Sequence, residues 1–237
     1  GPSVIVSNVV RLMPHSSSDD QRKYRKKEDL EKDLSRDPIQ LFKTNCIDEG
    51  IFTIKDVEKI DQKAKTKVID DIAWAEEQDH PDTSTALNHI YSKENAGKET
   101  KFIPVSENIV MVDAINHALH EEMQKNEKMV IYGQDIADPK GGVFTATKGL
   151  SDSFGKERVF NSPLAESSIV GTAVGMAVAG YKPVVEIQFG DYIWTAMMQI
   201  RNEVSVMRYR SNNAWSCPMV IRVPVGGYIH GALCHSQ

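Results

Sequence analysis

The chain has 237 residues, of which 41% are hydrophobic and 26% charged, and its formal net charge is −5. This composition is typical of a soluble globular protein, and the length allows one large domain or two small ones. The acidic balance argues against nucleic acid or an anionic membrane surface as a partner. No signal peptide or membrane span is evident, and the three widely spaced cysteines predict a reducing, cytoplasmic setting.

The first part of the chain has a helical pattern. Its apolar residues recur at helical spacing between positions 39 and 75. Asp37-Pro38 predicts a helix start with Asp as the N-cap, and Thr53 with Asp56 predicts a capping box before the next helix. Residues 1–3 are interpreted as a tag remnant, and residues 93–107 as a polar, flexible linker.

Beyond the linker, short apolar runs alternate with amphipathic segments. The predicted strands are 129–132, 158–160, 184–187 and 219–223, and the predicted helices are 111–124, 147–154, 166–180 and about 192–210. This alternation predicts an α/β fold, in which a parallel sheet is flanked by helices. Ligands bind such sheets beyond the carboxyl ends of the strands.

Glu166 is the most informative residue, because it is a carboxylate among apolar and small residues at a predicted helix start. It could complement the helix dipole, a contribution of about 0.3–1 kcal/mol, and the pattern alone favours this interpretation. It could also handle a proton in a site from which water is excluded. Behind it, Gly171 and Gly175 are four residues apart, which predicts close packing of one helix face.

Three other places could carry chemistry. His235 follows a glycine-rich stretch at 226–231 and could move a proton, although a histidine in a loop is more often structural. Tyr192 follows a strand end and could belong to the core or stack on a planar ring. The loop at 11–20, which contains His15 and a serine cluster, could be solvated, face a phosphate or be phosphorylated. None of these residues alone identifies a reaction.

Several strings resemble a known family and follow one another in its order: YGQDIA, GGVF, TKGL, RVFNSPLAE, EIQF and HSQ. Residues 108–237 resemble the thiamine-pyrimidine-binding domain of the β subunit of 2-oxoacid dehydrogenase E1 components, in its branched-chain (2-oxoisovalerate) type. Residues 4–92 resemble the C-terminal end of the E1 α subunit, whose active-site loop matches HSSSDD at residues 15–20. The resemblance therefore implies a fragment of a fused α–β polypeptide with a transketolase-like pyrimidine domain.

The resemblance also implies roles for individual residues. Glu166 would hydrogen-bond N1′ of the thiamine aminopyrimidine, and Tyr192 would pack on that ring. His235 would lie near the bound substrate. His15 would assist acyl transfer to a lipoyl group, and Ser16 matches a serine that is phosphorylated in animal members of the family.

The implied parent enzyme uses thiamine diphosphate with Mg²⁺ to decarboxylate a branched-chain 2-oxoacid oxidatively, and it passes the acyl group to lipoyl-E2. The family's diphosphate motif is absent from this chain, so the resemblance predicts that the metal and the diphosphate are held elsewhere, with no metal site here. The expected partners are an α-type diphosphate domain, a β-type C-terminal domain and lipoyl-E2. We also expect self-association and no turnover by the fragment alone.

Two alternatives stay open. Position 167 is Ser where the branched-chain resemblance leads us to expect Gln, so a pyruvate or acetoin type of E1 is a second interpretation. The third is a non-catalytic assembly module, in which residues 19–92 supply helices for subunit contact.

Overall fold

The computed structural model describes residues 3–93, 108–226, 230–231 and 234–236. The chain divides into two compact units, Gly1–Pro81 and Asp82–Gln237. The predicted linker, except for its first residue, and residues 227–229 of the glycine-rich stretch lie outside the described residues. The predicted domain boundaries therefore stay predictions.

The first unit is helical. After a 3-10 turn it contains three α-helices: α1 (Lys27–Leu34), α2 (Pro38–Asp48) and α3 (Ile54–Glu76). The predicted start of α2 is confirmed, because the Asp37 carboxylate accepts a hydrogen bond from the Ile39 backbone N–H at 2.9 Å. The capping box before α3 is also confirmed, since Thr53 and Asp56 each accept from the other's backbone N–H.

The first unit buries few side chains. Of residues 3–81, only Gln21 and Cys46 are buried. The Lys43 ammonium and the Asp61 carboxylate link α2 to α3 at 2.5 Å. Within these residues, the helices therefore have local caps and ion pairs but no large buried core.

The second unit is built on a parallel sheet. Its strands are β1 (Met129–Gly133), β2 (Val159–Asn161), β3 (Lys182–Glu186) and β4 (Val220–Arg222). A 3-10 helix (Thr83–Leu87) comes first in this unit, and its first α-helices are α4 (Met111–Lys125), α5 (Leu150–Phe154) and α6 (Glu166–Val178). The strands are all parallel and lie in the order β2-β1-β3-β4. The predicted α/β fold with a flanked parallel sheet is confirmed.

Apolar side chains cover both faces of this sheet. One cluster joins Ile131 and Val159 to Met123 of α4, and another joins Val130 and Tyr132 to α6. Burial on both faces explains why the strands read as continuous apolar runs rather than as alternating patterns.

The prediction of one long helix over about 192–210 is wrong. This segment consists of a 3-10 helix, then α7, a π-helix and α8: Gly190–Ala196, Met197–Gln199, Ile200–Val204 and Met207–Arg210. The Ser205 backbone N–H donates to the Ile200 carbonyl at 3.0 Å, which is the spacing of a π-turn. The sequence pattern predicted a helical segment here, but it does not determine which carbonyl each N–H contacts.

Two smaller predictions also need correction. The helix predicted from residue 147 begins only at Leu150, because Gly149 is left-handed with φ +78°. The close packing predicted at the glycine pair of α6 is absent among the described residues. A Cβ at Gly175 would meet no atom within 4 Å, and one at Gly171 would make an ordinary 3.6 Å contact with Gln199. No helix in the described part of the chain is long and apolar enough to cross a membrane.

Candidate functional site

The site lies at the carboxyl edge of the sheet, where polar residues follow the ends of neighbouring strands. Gly133 ends β1 and pairs with Glu186 at the end of β3. A Cβ at Gly133 would lie 2.5 Å from the Glu186 carbonyl oxygen, so only glycine permits this approach of the two strands. Gln134 follows directly and is 2% exposed. The close strand approach therefore fixes the backbone that carries Gln134.

Glu166 is the first residue of α6, as predicted, and it is half-buried. The Gln134 side-chain amide donates to its Oε1 at 2.9 Å, and the Thr195 hydroxyl lies 3.1 Å from its Oε2. Burial raises the pKa of the Glu166 carboxyl. Hydrogen bonds from Gln134, from its own backbone N–H and from Thr195 lower it further than burial raises it, so the pKa lies below its ordinary value. The carboxylate is therefore ionised at neutral pH.

The two side chains that donate to Glu166 are not equivalent. The Thr195 hydroxyl has a single proton, and it also lies 2.7 Å from the Tyr192 carbonyl, which is nearer than Glu166. Gln134 has two amide protons, and its hydrogen bond to Glu166 is the shorter of the two that side chains make to the carboxylate. Gln134 is therefore the principal donor.

Three aromatic rings pack together at the same edge. The ring of His235 lies 4.7 Å from that of Phe189 and 5.7 Å from that of Tyr192, measured between centroids. The Asp191 backbone N–H donates to the His235 carbonyl at 3.0 Å, which ties the C-terminal segment to the 3-10 helix. Because Thr195 contacts both the Tyr192 carbonyl and Glu166, the structure brings the predicted residues Glu166, Tyr192 and His235 to one edge of the sheet.

The other two predicted residues lie in the first unit. The His15 backbone N–H donates to Asp19 at 2.9 Å, and the Tyr24 hydroxyl donates to the same carboxylate oxygen at 2.6 Å. The Ser16 hydroxyl lies 3.2 Å from that of Ser18. Both His15 and Ser16 are exposed. Their roles in acyl transfer and phosphorylation stay predictions.

Sequence reasoning did not single out Gln134 and Thr195. Gln134 directly follows a buried strand, and that position was the available signal, since strand ends in parallel sheets meet ligands. The sequence contains no comparable signal for Thr195, which lies on a 3-10 helix where an α-helix was predicted.

A cavity of about 660 Å³ adjoins the aromatic rings and is lined mainly by apolar side chains, among them Ile115, Phe144, Phe189 and Val225. Arg222 also lines it, and this guanidinium is paired with the buried Glu186 carboxylate. Within the described residues, no group of three or more His, Cys, Asp or Glu side chains could hold a metal ion.

Comparison with known families agrees with this geometry. Residues 107–237 match the model of the transketolase pyrimidine-binding domain. The chain belongs to this family. Residues 1–84 match the model of the dehydrogenase E1 component. The predicted resemblance to a 2-oxoacid dehydrogenase E1, with α-type sequence before β-type sequence, is therefore confirmed.

Curated relatives of the pyrimidine-binding domain include E1 β subunits with different substrates in their names. The 2-oxoisovalerate dehydrogenase subunit β of Bacillus subtilis is 52% identical over 126 residues, which are 53% of this chain and 38% of the relative. The pyruvate dehydrogenase E1 component subunit β of the same organism is 41% identical over 129 residues, which are 54% of this chain and 39% of the relative. The mitochondrial 2-oxoisovalerate dehydrogenase subunit β of Dictyostelium discoideum is 44% identical over 156 residues, 65% of this chain and 40% of the relative.

The chain thus spans about two fifths of the length of these relatives. Both matched families belong to thiamine-diphosphate-dependent enzymes. The residues at the edge of the sheet fit the aminopyrimidine of that cofactor. Glu166 offers carboxylate lone pairs to a ring N–H, the side chains that donate to it among the described residues are neutral, and Tyr192 supplies an aromatic surface.

Proposed function

We propose that this pyrimidine-binding domain holds the aminopyrimidine of thiamine diphosphate and that Glu166 holds a proton at N1′ of that ring. The observation that carries the proposal is an ionised, half-buried carboxylate that receives hydrogen bonds from neutral donors at the carboxyl edge of a parallel sheet. An ionised carboxylate accepts a hydrogen bond, so it favours the form of the ring that carries a proton on N1′.

The neighbouring rings have complementary roles in this proposal. Tyr192 packs against the pyrimidine, and His235 lies beside it where a substrate would meet the cofactor. When bound, thiamine diphosphate supplies the carbanion chemistry that decarboxylates a 2-oxoacid. The protein orients the ring, excludes water from it and holds the proton at N1′.

The whole protein, in this proposal, is a 2-oxoacid dehydrogenase E1 that acts on a branched-chain 2-oxoacid in the cytoplasm and acylates lipoyl-E2. The higher identity to a 2-oxoisovalerate dehydrogenase than to a pyruvate dehydrogenase of the same organism supports this substrate class. Regions outside this chain hold the diphosphate and Mg²⁺, and the protein self-associates. His15 assists acyl transfer, and Ser16 is the position to test for phosphorylation.

The test of the site uses the full-length E1 with thiamine diphosphate, Mg²⁺ and lipoyl-E2. Replacing Glu166 by Gln removes the charge and keeps the shape, and we expect kcat to fall about 100-fold or more, the lower range for acid–base groups. The control is Glu127→Gln, which makes the same replacement at an exposed carboxylate. A Glu166→Gln enzyme with the rate of the unaltered protein would show that the assigned role is wrong.

The test of the substrate compares kcat/KM for 2-oxoisovalerate and for pyruvate in the same full-length enzyme. We expect the ratio to favour 2-oxoisovalerate. A preference for pyruvate would support the second interpretation, because the pyruvate dehydrogenase relative covers the same part of the chain. Turnover of neither substrate, with partner binding unaffected by Glu166→Gln, would favour an assembly module.

A further inference from the structure

Gln134 is a buried polar side chain at the edge of the sheet that carries Glu166. It is 2% exposed, and its amide donates at 2.9 Å to the carboxylate at the start of α6. A buried amide costs stability unless it is hydrogen-bonded, so its contact with Glu166 is part of what allows it to be buried here.

The backbone around Gln134 is held on both sides. Before it, Gly133 permits the close approach of β1 to β3. After it, the Gly142 backbone N–H donates to the Asp135 carbonyl at 2.7 Å, and the Thr147 hydroxyl donates to the Ile136 carbonyl at 2.8 Å. These contacts fix the backbone position from which the Gln134 side chain extends. The direction of its amide toward Glu166 is therefore set before any ligand binds.

Two of the carboxylates on the surrounding elements have cationic partners of their own. Asp135 is paired with Lys140 at 2.5 Å, and Glu186 is paired with Arg222. Other titratable groups on the adjoining elements are Asp191 and Tyr192 of the 3-10 helix, Arg201 and Glu203 of the π-helix, the ring of His235, and Tyr132 of β1, whose hydroxyl hydrogen-bonds to the Ile169 carbonyl and the Thr172 hydroxyl of α6. Within the described part of the chain, none of them hydrogen-bonds to the Glu166 side chain, so the state of this carboxylate depends on neutral donors.

We propose that Gln134 is a positioning residue, whose amide fixes the orientation of the Glu166 carboxylate and keeps it an ionised acceptor for a ring N–H. Thr195 is a weaker second donor, because its single proton has a nearer acceptor in the Tyr192 carbonyl. The consequence for activity rests on the proposed function, whereas the consequence for the titration of Glu166 does not.

Replacing the Gln134 amide by a carboxylate would reverse the effect of this side chain on the ionisation of Glu166. In Gln134→Glu, two carboxyl groups would lie at the distance of a hydrogen bond, and they could not both ionise without repulsion. In Gln134→Met, the side chain keeps a similar length but loses the donor. Both changes favour the protonated form of Glu166, the first more than the second.

The experiment follows the ¹³C signal of the Glu166 carboxyl in the full 237-residue chain, labelled with [5-¹³C]glutamate and titrated without cofactor. The signal is assigned by its loss in Glu166→Gln. We expect the pH midpoint of the Glu166 titration to be lowest in the unaltered protein and to rise in the order Thr195→Val, Gln134→Met, Gln134→Glu. The matched control is Gln124→Glu, the same replacement at an exposed position of α4, which leaves the midpoint unchanged.

Equal midpoints in the unaltered protein and both Gln134 variants would overturn the proposal, as would a larger rise in Thr195→Val than in Gln134→Met. If Gln134→Met does not fold, the comparison of Thr195→Val with Gln134→Glu tests the proposal, which requires the larger rise in midpoint in Gln134→Glu. In the full-length E1, Gln134→Glu should lower kcat about 10-fold or more and move the pH optimum upward, with little change in KM. A shifted midpoint without loss of kcat would refute the positioning role.

The two proposals can fail separately. The titration requires no cofactor, so it tests the contact between Gln134 and Glu166 by itself. The Glu166→Gln kinetics test whether that carboxylate takes part in turnover. A raised midpoint with unaffected Glu166→Gln kinetics would reject the proposed function, whereas an unchanged midpoint with a large kinetic loss would reject the role of Gln134 alone.

Discussion

The two units differ in how far their apolar side chains are buried. In the second unit, Ile131 of β1 is 1% exposed and packs in a cluster that covers one face of the sheet. In the first unit, Ile72 and Trp74 of α3 are 53% and 65% exposed. The same residue type therefore lies in a core in one unit and on the surface of the chain in the other.

This difference in burial goes together with a difference in what determines the structure of each unit. In the first unit, α2 and α3 begin at capping residues that the local sequence specifies, and of the apolar residues at helical spacing there only Cys46 is buried. The strands of the second unit depend on neighbours far along the chain, since β1 lies between β2 and β3. Local signals define the first unit, and long-range packing defines the second.

The largest expected effect compares one replacement in both units. Ile131→Ala leaves a cavity in the core and should lower the free energy of unfolding of the second unit by about 2–5 kcal/mol. Ile72→Ala removes an exposed side chain from a helix and should change stability by about 0.5 kcal/mol or less. Urea unfolding followed by hydrogen exchange and mass spectrometry reports each unit separately. Equal losses for the two variants would contradict the comparison.

A smaller effect is expected at Asp138, whose carboxylate holds the loop between β1 and α5. It accepts hydrogen bonds from the Gly149 backbone N–H and the Ser151 hydroxyl, both at 2.7 Å. Burial raises the pKa of Asp138, but these and two further backbone hydrogen bonds outweigh it, so the pKa lies below its ordinary value. Asp138→Asn should lower the free energy of unfolding by about 1–3 kcal/mol at neutral pH.

The pH dependence of this effect has a definite sign. Because the folded-state pKa of Asp138 is depressed, its contribution is present above the unfolded-state pKa and is lost as pH falls through the folded-state value. The difference between Asp138→Asn and the unaltered protein should therefore shrink below about pH 4. Asp79→Asn, at an exposed position of the first unit, is the control. A difference that grows in acid would show that the carboxylate is not stabilised as an anion.

Much of the fold was predictable because its signals are local. Asp37 and Thr53 mark helix starts through contacts within three residues, and Glu166 was correctly predicted as the first residue of a helix. Alternating strands and helices predicted a parallel sheet, and such a sheet brings its strand ends to one edge.

The contacts within the site were not predictable in the same way. Gln134 and Glu166 are 32 residues apart, and their contact follows from the order of the strands and the start of α6. Thr195 reaches Glu166 from a 3-10 helix, where the sequence predicted an α-helix. A single sequence reports which residues are polar at a strand end, but it does not report which of them meet.

The smallest expected effect tests the local character of the first unit. Thr53→Ala removes the side chain that accepts from the Asp56 backbone N–H at 3.2 Å, and it should cost about 0.5–2 kcal/mol. Exchange of the amides in the first turn of α3 should become faster, while the amides of β1 and β3 keep their rates. Thr53→Ser retains the hydroxyl and should behave as the unaltered protein. If Thr53→Ala also accelerated exchange in β1, the two units would unfold together, and a division into local and long-range stability could not hold.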